Sequence, residues 1–169
     1  MAKYTKIGKI PSALITDLDL CSYARKNFDK LIISTGMSTE KEIETCINTC
    51  NPDIIMHSNS TYPCPVEDLN MKYITWLKEK YPKKEIGYSG HESGIVTTLI
   101  SVPLGATWIE RHVTMDKTMW GSDQKASLDI QEMFELIQNI KIIEASCKYE
   151  PQERIQFEKE NIKKIALRK

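Results

Sequence analysis

Short apolar segments alternate with amphipathic segments along most of the chain. Strand-like apolar patterns occupy residues 6–10, 30–34, 53–58, 85–89 and 108–113. Helical patterns follow them at residues 18–29, 39–50, 66–81, 94–104 and 130–146, and a charged helical pattern covers residues 152–167. The unbroken apolar run Leu31-Ile-Ile33 is typical of a parallel strand that is covered on both faces. Five strand and helix repeats therefore predict an α/β protein with parallel strands and right-handed crossovers.

Local signals place the helix starts and one unusual loop. Thr16 or Asp17 is the predicted cap of the first helix, and Thr39 with Glu42 forms a capping box for the second. Residues 116–127, after the fifth strand, are polar and lack a regular pattern. A connection of this length is more often a binding loop or lid than a plain linker.

Two histidines follow the ends of two consecutive predicted strands. His91 and His112 are 21 residues apart, which suits one strand, helix and strand unit. Side chains at the carboxyl ends of adjacent parallel strands lie close together and form ligand sites. Two neutral imidazoles there could hold a divalent cation with open positions for substrate. The alternative is that one or both histidines only make hydrogen bonds within the core.

Composition excludes several classes of protein. The 169 residues include 23 basic and 23 acidic side chains, so a net charge of zero gives no support for nucleic-acid or membrane-surface binding. The sequence lacks a Gly-x-Gly-x-x-Gly fingerprint, a phosphate-binding Walker loop and a Gly-x-Ser-x-Gly elbow. It also lacks an apolar run long enough for a membrane span and a signal-peptide core, so we expect a cytoplasmic protein.

The five cysteines do not form a CxxC pair. Cys46 and Cys50 are four residues apart on a predicted helix and could clasp a metal, but a matching second pair is missing from the sequence. We expect reduced, partly buried side chains. Cys64 lies near the predicted site and could be a nucleophile only with a dedicated base beside it.

Six motifs lie at or after the ends of the predicted strands: Lys9-Ile-Pro-Ser12, Ser34-Thr-Gly-Met37, Ser60-Thr-Tyr-Pro-Cys-Pro65, Gly87-Tyr-Ser-Gly-His91, Ile109-Glu-Arg-His112 and Asp116 to Leu128. Together they resemble the sialic acid synthase family, whose members condense phosphoenolpyruvate with N-acetylmannosamine or a related sugar. They occur in the same order as in the family and cover nearly the whole chain.

The resemblance implies a fold. We expect residues 1–150 to form part of a TIM (β/α)8 barrel, with five strands that correspond to the family's strands four to eight. Residues 151–169 would then form a helix and the start of a linker to an antifreeze-like domain. An open half-barrel would expose the apolar side chains that face its interior, and we expect Ile10, Ile33 and Ile55 to be among them. It would also leave open edges at the outer strands.

The resemblance also implies roles for individual residues. His91 and His112 would be the catalytic residues and would bind the divalent metal, Mn²⁺ or Mg²⁺. Phosphoenolpyruvate would be bound by Lys9, Ser12, Ser34, Ser60 and Ser89. Tyr62 and Asp123 would contact the sugar. One ammonium and several hydroxyl groups suit a phosphate and a carboxylate. Taken singly, each serine could equally be a turn former or cap, and Asp123 could form a loop turn.

Three functions therefore compete. The first is a synthase that makes a nonulosonic acid, with the sialic, legionaminic and pseudaminic acid synthases as variants. The second is a non-catalytic metal-binding half-barrel. The third is an aldolase-like protein with a Schiff-base lysine, which the sequence does not locate. Because the first three barrel strands are not in this sequence, we expect little turnover by this chain alone. Three situations are then open: a separate N-terminal half-barrel as its partner, a homo-oligomer that buries the open face, or a truncated gene product of low stability.

Overall fold

The computed structural model describes residues 4–148 and contains five parallel strands joined by helices. The strands are β1 (Ile7–Ile10), β2 (Lys30–Ser34), β3 (Ile54–Ser58), β4 (Glu85–Gly90) and β5 (Trp108–Arg111). The helices are α1 (Leu18–Asn27), α2 (Glu40–Cys50), α3 (Tyr73–Lys80), α4 (Val96–Ser101) and α5 (Ile130–Ser146). Every strand and helix predicted within these residues is present, although α3, α4 and β5 are shorter than predicted. The helix predicted for residues 66–81 begins only at Tyr73, and Val66–Asp68 is a separate 3-10 turn.

The strands lie in the sheet in their order along the chain, β1-β2-β3-β4-β5, and all neighbours are parallel. This order is that of consecutive units in a (β/α) barrel, in which each helix returns the chain to the next strand. All five carboxyl ends consequently lie at one edge of the sheet. Ser58 of β3 is paired with Ser89 of β4, which is paired with Glu110 of β5.

Three of the helices begin at a side-chain cap. The Asp17 side chain accepts a hydrogen bond from the Leu20 amide at the start of α1. Thr39 and Glu42 form the predicted capping box of α2. Asp129 and Glu132 form a second capping box at α5, which the sequence analysis did not identify. These contacts satisfy amide groups that lack partners in the first helical turn.

The main core lies between the sheet and the helices. Ile10, Ile33 and Ile55 are buried there, so the expectation that they face the barrel interior is wrong. The alternate positions of the strands form the opposite face, where Ile32, Ile54 and Met56 pack against Trp108. In a strand that is apolar at successive positions, the sequence does not distinguish the helix side from the barrel side.

The segment after β5 is tied down at both of its ends. Val113 and Leu128 form a parallel bridge, with the Leu128 amide donating to the His112 carbonyl at 2.9 Å. Within the segment, Gln124–Ala126 forms one turn of 3-10 helix, and the Trp120 side chain is 98% exposed. The predicted long loop therefore leaves the sheet after β5 and returns at Leu128, beside His112.

None of the helices in residues 4–148 is long and apolar enough to cross a membrane. The predicted helix at residues 152–167, and the predicted linker region 151–169 that contains it, lie outside the described residues.

Candidate functional site

A cavity of about 350 Å³ opens at the carboxyl ends of the strands. Its lining includes side chains from all five strands or from the loops that follow them. Of the nine predicted site residues, eight line it: Lys9, Ser12, Ser34, Ser60, Tyr62, Ser89, His91 and His112. The ninth, Asp123, does not line the cavity but has a carboxylate oxygen 3.5 Å from His112 Nδ1.

Strand periodicity explains how this polar rim forms. Successive side chains of a strand point to opposite faces, so Lys9 faces away from Gly8, whose backbone packs on Phe28 of the helix side. By the same alternation, the last positions of the strands on the barrel face are occupied by Ser34, Ser58, Ser89 and Glu110. The apolar residues of this face, Ile32, Ile54 and Met56, come earlier in the strands and form the floor.

The two predicted metal ligands are neighbours. The ring centroids of His91 and His112 are 5.3 Å apart, and the rings are nearly perpendicular. His91 is buried, and its Nδ1 lies 2.6 Å from the Asn59 carbonyl oxygen. A carbonyl can only accept, so Nδ1 carries the proton and Nε2 has the free lone pair. Burial lowers the pKa of His91, although the bond to Asn59 acts in the opposite direction.

His112 is oriented from the loop after β5. Its Nδ1 is 3.5 Å from the Asp123 carboxylate, so an acidic side chain faces this side of the ring. Tyr62 covers both rings, with its centroid 4.2 Å from that of His91 and 6.0 Å from that of His112. The Tyr62 hydroxyl lies 3.2 Å from His91 Nε2, to which it can donate.

The donor set fits a divalent cation. Two neighbouring imidazoles present nitrogen ligands, and an outer oxygen partner such as the Asn59 carbonyl on His91 Nδ1 is usual for metal-binding histidines. The negative charge of Glu110 is close enough to His91 to favour a cation there. A metal would take the place of the Tyr62 hydroxyl at Nε2.

The wall of the cavity that carries Lys9 and the serines is suited to an anion. Lys9 Nζ lies 2.6 Å from Glu110 Oε1, and the Ser89 hydroxyl donates to the same oxygen at 3.2 Å. Ser12 Oγ accepts from the Gly36 amide at 3.1 Å, which leaves its own proton available. Within residues 4–148, the buried Ser34 hydroxyl oxygen has no hydrogen-bond partner. A buried polar group without a partner is costly, and a bound ligand would satisfy it.

Sequence reasoning missed Glu110 and Ser58 as lining residues. Both follow from strand alternation: Glu110 is two positions before His112, and Ser58 is two positions after Met56. The resemblance placed Glu110 inside a motif without giving it a role. Counting alternate positions from the predicted ligands would have found both residues.

Beneath the histidines lies a buried polar network. Arg111 Nη1 is 3.1 Å from Glu92 Oε1, and both side chains are completely buried. Tyr88 and Thr98 donate to the Glu92 carboxylate at 2.8 and 2.7 Å. Burial raises the pKa of Glu92, but the charge of Arg111 and these hydrogen bonds outweigh it, so the net pKa is lowered.

A second cavity of about 490 Å³ adjoins the first and shares Met37, Ser58 and Ser60 with it. Although it is larger, neither His91 nor His112 nor Lys9 lines it. We therefore place the candidate site in the smaller cavity, where the cationic side chain and the two imidazoles converge.

Comparison with known proteins identifies related chains. The profile of the NeuB family matches residues 2–151. An N,N'-diacetyllegionaminic acid synthase of Campylobacter jejuni is 40% identical over 146 residues, which are 82% of this chain and 43% of the relative. The human N-acetylneuraminate-9-phosphate synthase is 39% identical over 118 residues, which are 68% of this chain and 33% of the relative. A pseudaminic acid synthase of Campylobacter jejuni is 35% identical over 143 residues, 82% of this chain and 41% of the relative. The chain thus matches less than half the length of these three relatives.

Solved structures show the same relationship. The N-acetylneuraminic acid synthetase of Leptospira borgpetersenii, solved with citrate, superposes with a TM-score of 0.83 at 34% identity over 96% of this chain and 59% of that one. A truncated 3-deoxy-D-arabino-heptulosonate 7-phosphate synthase from Thermotoga maritima has a TM-score of 0.67 at 21% identity over 86% of this chain and 61% of that one, and shows the fold alone. These likenesses confirm the predicted partial barrel of five parallel strands. Because the family profile covers nearly all of the sequence, the chain belongs to the NeuB family, whose relatives include sialic, legionaminic and pseudaminic acid synthases.

Proposed function

We propose that this chain carries the metal and phosphoenolpyruvate sites of a synthase that joins phosphoenolpyruvate to an N-acyl sugar, giving a nonulosonic acid and phosphate. The observation that carries the proposal is the convergence, in one cavity, of Lys9, the unpartnered hydroxyl of Ser34 and the paired rings of His91 and His112. The anion-binding wall and the imidazole wall face one space. Such a space suits an anionic enol ester beside a sugar aldehyde.

Each wall has its own task. Lys9 would exchange its contact with Glu110 for the phosphate or carboxylate of phosphoenolpyruvate, and the hydroxyls of Ser12, Ser34, Ser60 and Ser89 would donate to the same groups. Tyr62 and Asp123 stand at the rim beside His112, where they would contact the sugar. Bound in this way, the enol ester would have its C3 directed toward the aldehyde carbon.

The metal would be held by Nε2 of His91 and of His112, and we expect Mn²⁺ or Mg²⁺. Bound there, the cation supplies Lewis-acid polarisation of the aldehyde oxygen. In the overall reaction C3 of phosphoenolpyruvate forms the new bond to the aldehyde carbon. Water adds to C2, the bond between C2 and the phosphate oxygen breaks, and phosphate leaves. The buried, neutral state of His91 keeps it available as a nitrogen ligand instead of a proton donor.

The proposal specifies a class of sugar substrate, the N-acyl sugars, and not one sugar. N-acetylmannosamine is the first candidate, and the related substrates of legionaminic and pseudaminic acid synthases are alternatives because relatives of all these kinds match the chain. In the fold, β1 and β5 each have one unpaired edge among the described residues. We propose that further barrel strands complete the enzyme and are needed for full turnover.

The test separates binding from turnover. Calorimetry of the 169-residue chain with Mn²⁺ and with phosphoenolpyruvate should give one site for each, and His91→Ala or His112→Ala should abolish the Mn²⁺ site. Phosphate release with Mn²⁺, phosphoenolpyruvate and a panel of N-acyl sugars then measures turnover, alone and after addition of the N-terminal half-barrel of a relative. Mn²⁺ binding without phosphoenolpyruvate binding would instead identify a non-catalytic metal-binding module. Trapping by borohydride would point to a Schiff-base aldolase.

A further inference from the structure

Three cysteine thiols meet behind the sheet, away from the candidate site. Cys21 lies on α1, and Cys46 and Cys50 lie on α2, where the two helices pack against each other. Cys46 Sγ is 3.7 Å from Cys21 Sγ and 3.8 Å from Cys50 Sγ, and all three sulfur atoms lie within 4.8 Å of one another. All three residues are fully buried and are free cysteines.

The arrangement has the dimensions of a trithiolate metal site. With metal to sulfur bonds of about 2.3 Å, three sulfurs around one ion lie roughly 3.8–4.0 Å apart. The two separations that involve Cys46 Sγ, 3.7 and 3.8 Å, are close to this spacing, and the third lies within 4.8 Å. Thiolates select soft cations, whereas carboxylate and water ligands suit Mg²⁺ and Mn²⁺. This cluster and the histidine pair would therefore take different ions.

A disulfide suits part of the cluster poorly. Residues i and i+4 of a helix have Cβ atoms about 5–6 Å apart, whereas a disulfide needs a separation of about 3.5–4.5 Å. Oxidation of Cys46 with Cys50 would thus distort α2. Metal binding involves all three thiols at once and does not require this approach.

Burial and neighbouring groups shift the pKa of each of the three thiols. Burial raises the pKa of Cys21, and the hydrogen bond with Cys50 together with burial raises the pKa of Cys46. The pKa of Cys50 is lowered, first by its bond with Cys46 and further by the charge of Arg25. Arg25 is anchored by Asp53, with 2.7 Å between Nη1 and Oδ2. One cation is therefore already fixed beside the cluster, where it can offset the negative charge of a thiolate complex.

We propose that Cys21, Cys46 and Cys50 form a binding site for one soft divalent d¹⁰ cation, of the class of Zn²⁺ and Cd²⁺, that links α1 to α2. On binding, three S–H bonds lose their protons to solvent and three metal–sulfur bonds form. No atom is oxidised or reduced, and the complex carries a net charge of −1. Because the cluster lies on the helix side, its occupancy is independent of the synthase cavity.

The probe is Cd²⁺ added to the full chain in which Cys64→Ser and Cys147→Ser remove the two other thiols. We expect an ultraviolet thiolate-to-cadmium charge-transfer band that saturates at one equivalent, with about three protons released into weakly buffered solution. At a hundredfold excess over Kd, binding to the folded chain should raise Tm by roughly 5–10 °C. If Cd²⁺ enters the native core slowly, the chain is refolded in the presence of Cd²⁺ and separated from free metal by gel filtration. The Cd²⁺ that remains bound to the chain is then measured.

Single substitutions in that background test the ligands. Cys21→Ala and Cys50→Ala should each weaken Cd²⁺ binding at least tenfold, and Cys46→Ser, which is nearly isosteric with cysteine, should remove the band while circular dichroism reports an intact fold. The same chain carrying His91→Ala and His112→Ala should retain the band. Absence of a band by both titration and refolding, a band unchanged in all three cysteine variants, or a lowered Tm overturns the proposal.

Discussion

Glu92 and Arg111 form a completely buried ion pair, with 3.1 Å between Glu92 Oε1 and Arg111 Nη1, and each is the sequence neighbour of one predicted metal ligand. Arg111 also donates to the carbonyls of Gly94 at 2.7 Å and Ala126 at 3.2 Å. The pair therefore ties β4 and β5 to the loops that carry His91 and His112. It joins the two backbone segments that carry these histidines, and none of these hydrogen bonds involves either imidazole ring.

We expect Arg111→Met to lower the free energy of unfolding by about 3–5 kcal/mol, because it leaves the Glu92 carboxylate buried without its charged partner. Glu92→Gln should be similarly harmful, since Arg111 then lacks a counter-charge. The measurement is urea unfolding monitored by tryptophan fluorescence.

The double variant Glu92→Met/Arg111→Met is the control for this pair. Two apolar side chains of similar length leave no unpaired charge, so its loss of stability should be clearly smaller than the sum of the single losses. Additive losses would show that the two side chains act independently.

Lys9 provides the second prediction. Lys9→Met should weaken phosphoenolpyruvate binding roughly 10–100-fold, because a hydrogen bond to a charged group is worth about 1.5–3 kcal/mol. Isothermal calorimetry measures the affinity.

Lys30→Met is the matched control. Lys30 also pairs with a glutamate on the barrel face, Glu85 at 2.9 Å, but it lies at the first position of β2, far from the carboxyl ends. Its replacement should leave the affinity within about twofold. Equal losses for both lysines would contradict the assignment of Lys9 to the anion.

Gly36 is the third position to test. A Cβ atom there would lie 2.3 Å from Ser60 Oγ and 2.8 Å from Ser12 Oγ. Gly36→Ala should displace both hydroxyls and lower the phosphoenolpyruvate affinity by roughly tenfold, while Tm changes little.

Gly105→Ala should give the opposite pattern. Gly105 has a φ of +109° in the turn before β5, a conformation that strains any other residue by about 1–3 kcal/mol. This variant should lose stability and retain its affinity for phosphoenolpyruvate. If Gly36→Ala binds normally, the serine hydroxyls do not form the anion wall.

A fourth prediction concerns pH. Burial lowers the pKa of His57, and its bond to the Leu69 carbonyl opposes this only partly. The unfolded state has a histidine pKa of about 6.5 and binds more protons than the folded state below that value, so the stability should fall as the pH decreases from about 6.5.

His57→Gln is the control for this titration. The slope attributable to His57 is at most about 1.4 kcal/mol per pH unit, and the variant should lose that part of it in urea titrations between pH 5 and 8. His91 contributes in the same direction, so a residual slope is expected. An unchanged slope would show that His57 is not held neutral.

The sequence predicted the order of strands and helices because hydrophobic periodicity and caps such as Thr39 with Glu42 are local signals. It also predicted that the residues following the strands meet, since parallel strands share one edge. It did not predict which face Ile10, Ile33 and Ile55 occupy, because successive apolar positions conceal the alternation. It also did not predict the contact between Cys21 and Cys46, because that contact depends on how two separate helices pack.

The tautomer of His91 is held by a main-chain oxygen, the Asn59 carbonyl, and not by a side chain. The Asn59 amide oxygen instead accepts from the Thr61 amide, and its nitrogen donates to the Asp68 carbonyl. What must be inherited is therefore the path of the backbone through this bend. A substitution at position 59 removes these two side-chain bonds but leaves the carbonyl that orients the imidazole, provided that the backbone keeps its course.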